Sequence, residues 1–97
     1  MTVPIAFFIS PVAAGEEGSC WLQALNTDIF VIVHDLDRDG NRGEVIWEGR
    51  LNQGQRALIK TPHGRFRYYI NTEPDKRNAM NSGEDRWCDN GETVGLP

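Results

Sequence analysis

Asp35, Asp37, Asp39 and Asn41 set side-chain oxygens at alternate positions around Gly40. That is the front half of a calcium loop, in which hard oxygen ligands alternate and a glycine permits the sharp bend. The back half departs from the pattern: the position that should close the cage with a bidentate carboxylate is Ile46, and both flanks read as strands. The four residues stand as candidate ligands of an open calcium site. They also stand as turn-formers at a hairpin end, where Asp and Gly accept the required geometry. Beyond calcium the sequence implies no cofactor.

A second constellation is cationic and aromatic. Arg50, Arg56, Lys60, Arg65 and Arg67 are half of the 10 Lys and Arg residues, and Tyr69 closes the series. Guanidinium groups beside an aromatic ring suit an acidic protein segment, a sugar or a single strand of nucleic acid. With 14 acidic residues and a net charge of -4, the chain as a whole argues against nucleic acid.

Cys20 and Cys88 allow one intramolecular bridge. Closing so long a loop contributes on the order of 4 kcal/mol in the chain-entropy model, and a small domain has need of such a staple. A bridge points to an extracytoplasmic location, periplasmic or secreted, and Trp21 and Trp87 would flank and shield it. Two separate buried thiols in a cytoplasmic protein are the alternative. Neither cysteine belongs to a CxxC pair, so zinc-ribbon and thioredoxin-like chemistry have no support. His34 and His63 fall in a strand and at a turn, and Ser10, Ser19 and Ser82 lack the flanks of a nucleophile. No catalytic residue is assigned, and the chain is read as a protein other than an enzyme.

The elements that must position these residues are short and extended. Ninety-seven residues, 39% hydrophobic and 25% charged, describe a single domain over residues 1–97. No apolar run reaches the roughly 18 to 20 residues of a membrane-spanning helix. Apolar segments alternate with Gly-centred turns at antiparallel spacing, which predicts strands at 3–9, 20–25, 28–36, 44–51, 55–61, 65–71 and 93–96. The apolar start reads as a strand, although Val12-Ala13-Ala14 is a tripeptide of the kind a signal peptidase accepts. Seven strands suggest a small antiparallel β-sandwich, immunoglobulin-like or fibronectin-like. A long polar loop over 71–89, anchored by Met80 and Trp87, precedes the last strand.

Asp39-Gly40, Asn52-Gln53-Gly54 and His63-Gly64 suit tight hairpins. Taken so, they fold the four middle strands into a meander pairing His34 with Val45, Ile32 with Trp47, Trp47 with Ile59 and Ile59 with Tyr68. One face then carries Phe30, Ile32, His34, Val45, Trp47, Ala57, Ile59, Phe66, Tyr68 and Ile70. The other carries the basic set, with Lys60 opposite Arg67, and exposes Ile29, Val31, Val33 and Ile46. The expected function is a non-catalytic module that binds a protein partner, or itself, through that outer face and the 71–89 loop. The alternative is a small carbohydrate-binding module, calcium-dependent in one form, that stacks sugars on Tyr69 with Trp21 or Trp87.

Overall fold

The computed structural model describes residues 17–71 and 83–97. Seven strands run through them: β1 Gly18–Ala24, β2 Ile29–Leu36, β3 Arg42–Leu51, β4 Arg56–Thr61, β5 Arg65–Asn71, β6 Glu84–Trp87 and β7 Thr93–Leu96. The period of two dictates them. In β1 the buried set Gly18, Cys20, Leu22 and Ala24 alternates strictly with half-exposed residues, as a strand covering one side of a core must. The result is an all-β sandwich: a three-stranded sheet ordered β4-β1-β7 and a four-stranded sheet ordered β3-β2-β5-β6. All pairings are antiparallel except β1 with β7, which is parallel. Among the described residues no helix is long and apolar enough to cross a membrane.

Leu22, Ile29, Val31, Val33, Leu51, Ile59, Phe66, Tyr68 and Leu96 fill the space between the sheets. Each such side chain withdrawn from water stabilises by roughly 1.5 to 3 kcal/mol before the entropy of ordering it is charged. Cys20 and Cys88 are bonded, 68 residues apart in sequence and 5.3 Å apart at Cα. The bridge joins β1, the central strand of one sheet, to the residue that follows β6 at the edge of the other. Alternation turns the flanking tryptophans away from it, so they do not shield it. Trp21 pairs with Leu58 on the outer side of its sheet, and Trp87 is 56% exposed.

The expected meander is broken at β4. Only β2 and β3 form the anticipated hairpin, with His34 opposite Val45. Residues 52–55 and 62–64 are tight turns, with Gly54 and Gly64 at φ of 83° and 79°, but they carry the chain from one sheet to the other and back. Ile59 therefore faces Cys20, Lys60 faces Ser19 rather than Arg67, and β2 takes β5 as its second neighbour. The phase of β2 is also inverted. Ile29, Val31 and Val33 are wholly buried, while Phe30, Ile32 and His34 lie on the outer side. A bulge between Val33 and His34 lets Trp47 pair with Val33 and pack on the core while Val45 turns outward, and it places Glu48 opposite Ile32. Ile46, expected to be exposed, packs against the core as well.

Within the region read as one long loop, 84–87 is a strand. The apolar run 3–9, the tripeptide 12–14 and the loop anchor Met80 lie outside the described residues.

Candidate functional site

Alternation along β5 sends Phe66, Tyr68 and Ile70 into the core and Arg65, Arg67 and Tyr69 to the outer face of the four-stranded sheet. Register then supplies their neighbours. His34 of β2 and Asp85 of β6 stand on either side of Arg67, and Trp87 stands beside Arg65. Asp85 receives Arg67 through two hydrogen bonds, 2.6 Å from Nε and 3.2 Å from a terminal nitrogen, with Arg65 4.0 Å away. The Arg67 bond holds the Asp85 carboxyl below its ordinary range, and the same contact raises the Arg67 guanidinium.

Tyr69 is framed from the opposite side. Arg42, at the start of β3, donates to its hydroxyl at 3.1 Å and lies 5.9 Å from its ring centre. The His34 ring meets it edge-on at 5.7 Å and is itself fixed by Nδ1, which donates to the Gly43 carbonyl at 2.9 Å. Gly83 has no side chain because a Cβ there would come within 2.8 Å of the Arg67 stem and 2.9 Å of the Tyr69 ring. At the far corner the Arg65 guanidinium sits 5.1 Å over the exposed Trp87 ring. The face thus presents two framed aromatic rings, with Arg67 and Arg65 gathered at the Asp85 carboxylate and Arg42 at the Tyr69 hydroxyl.

The remaining basic residues are dispersed. Arg50 shares the face at its opposite end, 3.7 Å from Asp28. Arg56 and Lys60 belong to the outer side of the other sheet, because β4 crossed over. Arg56 lies 4.4 Å over the Trp21 ring and reaches Thr93 beyond it.

The four candidate calcium ligands fall into two arrangements, Asp35 apart from the other three. Asp35 is 8% exposed, with one carboxylate oxygen 2.8 Å from His63 Nδ1 and the other without a partner. Asp37 accepts the backbone N–H groups of Asn41 and Asp39, both at 2.9 Å, which lowers its pKa and closes the hairpin upon itself. Among the described residues no three His, Cys, Asp or Glu side chains group as a metal cage.

Arg42, His34 and the His63–Asp35 pair were not singled out from the sequence as parts of a site, whereas Asp85 reads from it as one of the loop carboxylates that neutralise the basic face, as its bond to Arg67 does. For Asp85 and Trp87 a signal existed: they alternate, and reading 84–87 as an edge strand would have set them beside β5. Arg42 and His34 depend on the inverted phase of β2, and the His63–Asp35 pair spans 28 residues with no local trace. No family model, curated protein or solved structure matches the chain.

Proposed function

We propose that this protein is a non-catalytic recognition module that binds an acidic protein partner through the outer face of its four-stranded sheet. The observation that carries the reading is the Tyr69–Arg67–Arg65–Trp87 row with Arg42 laid across its end. Arg, Tyr and Trp are the residues that dominate binding energy at protein interfaces, and here they are held in place before any partner arrives. A local excess of guanidinium groups on a chain of net charge -4 favours an acidic partner. The order of β1 to β6 supports an immunoglobulin-like assignment. It corresponds to strands B, C, C′, E, F and G, with B beside E in one sheet and C′-C-F-G in the other. A location outside the cytoplasm belongs to the same proposal and is supported by the disulfide.

The test is affinity capture from the native source with wild-type protein beside the Tyr69→Ala and Trp87→Ala variants, with light scattering over a concentration series. A partner retained by wild type and lost by both variants supports the reading. Equal retention overturns it, and mass that grows with concentration makes the partner a second copy. Trp87, at 56% exposed, also favours the carbohydrate reading. Glycan binding abolished by the same substitutions would put that reading first.

A further inference from the structure

The outer side of the three-stranded sheet ends in a cleft of about 490 Å³, within the range of small-ligand sites and on the other sheet from the face just described. Its walls are fixed by backbone. Gly18 lies so close to the Cys88 carbonyl that a Cβ there would collide with it, and the bridge clamps the two segments together. Asn90 Oδ1 accepts the Ser19 N–H at 2.8 Å, and Gly91 N–H donates to the Ser19 carbonyl at 2.9 Å. The turn after β6 is thereby tied along β1 as one wall. Thr61 and Pro62, at the end of β4, form the other.

Lys60, Ser19 and Asn90 bring hydrogen-bond donors into this frame. Lys60 and Ser19 are cross-strand partners on the same outer face, so their side chains rise side by side at the cleft. Asn90, its oxygen held by the Ser19 N–H, offers its amide NH2 as a donor. Lys60 has no carboxylate within ion-pair distance among the described residues. Next to it on β4 stands Leu58, 44% exposed and opposite Trp21. Its neighbour Trp21 is roofed by Arg56, which leaves Leu58 as the open apolar surface beside the cleft. Glu17, the one carboxylate in the lining, opposes an anion and gives the site an internal control.

We propose that this cleft binds a carboxylate carried next to an aliphatic group, with Lys60, Ser19 and Asn90 receiving the carboxylate and Leu58 the aliphatic part. Isocaproate and its neutral amide, isocaproamide, are the probes, followed by amide chemical shifts and calorimetry. The acid binds about tenfold tighter than the amide, the worth of one charge-assisted hydrogen bond. Lys60→Gln erases the difference between the two. Glu17→Gln tightens the acid alone, and Leu58→Ser weakens both. All three side chains are exposed, so an unchanged melting temperature certifies each variant. Acetyl-leucine and an amidated peptide whose carboxylate is a glutamate side chain separate a chain terminus from an acidic side chain as the natural source. Acid and amide binding alike, or shifts centred on Tyr69 and Trp87, would overturn the proposal.

Discussion

His63 reaches back from the turn between the sheets to a carboxylate that is nine-tenths buried and has one oxygen unmatched. Removing the imidazole strands that charge, and His63→Ala is expected to cost about 1 to 3 kcal/mol. Asp35→Asn on the His63→Ala background should recover part of the loss, because a neutral amide is cheaper to leave without a partner. Urea titrations of the two singles and the double variant give the coupling directly. Tyr68 makes a contrasting case. Its ring is core, while its hydroxyl donates to Glu84 Oε1 at 2.9 Å, and burial raises its pKa. Tyr68→Phe keeps the ring and forfeits the bond, for an expected cost of about 1 kcal/mol in the same titration.

At the scale of the element, β6 is held by charge where the other strands are held by apolar burial. Hydrogen bonds from Arg67 to Asp85, and from Tyr68 and Arg86 to Glu84, depress both carboxyls below their ordinary values of 3.8 and 4.5. A depressed folded pKa stabilises fully above the unfolded value and is lost as pH falls through the folded one. β6 is therefore expected to loosen below about pH 4.5. The effect is small, under about 1 kcal/mol, because these pairs are solvent-screened. Fluorescence of Trp87, set against a Trp87→Phe reference to isolate its signal, should shift in acid before the melting temperature collapses. Those same charges hid the strand from the sequence, where Glu84-Asp85-Arg86 reads as loop although charged residues are normal on an edge. β5 and β7 were legible residue for residue, as their alternation has one phase. In β2 the run Ile29-Phe30-Val31-Ile32-Val33 is apolar on both sides, so its phase was open. The turns at Gly54 and Gly64 were legible as turns, but positive φ fixes a reversal of the backbone and not whether the two strands pair.

For the whole molecule the bridge is the connection that neither sheet supplies for itself. Cys88→Ser is expected to cost roughly 2 to 5 kcal/mol, read as a drop in melting temperature that reductant reproduces in wild type. Gly18→Ala should also destabilise, and it does so with the bridge intact, because the collision with the Cys88 carbonyl presses on the backbone the bridge holds.

The position of the bridge also decides how the protein carries tension. A force applied at residues 18 and 96 passes from Cys20 straight to Cys88, bypassing the 68-residue span between them. That span would otherwise pay out on the order of 230 Å of contour. What remains in the load path is the parallel pair β1–β7, pulled from the start of one strand and the end of the other, so its hydrogen bonds are sheared together rather than unzipped in turn. In an optical trap the oxidised molecule should yield only a short step at high force, with the long extension appearing once a reductant has cut the shortcut.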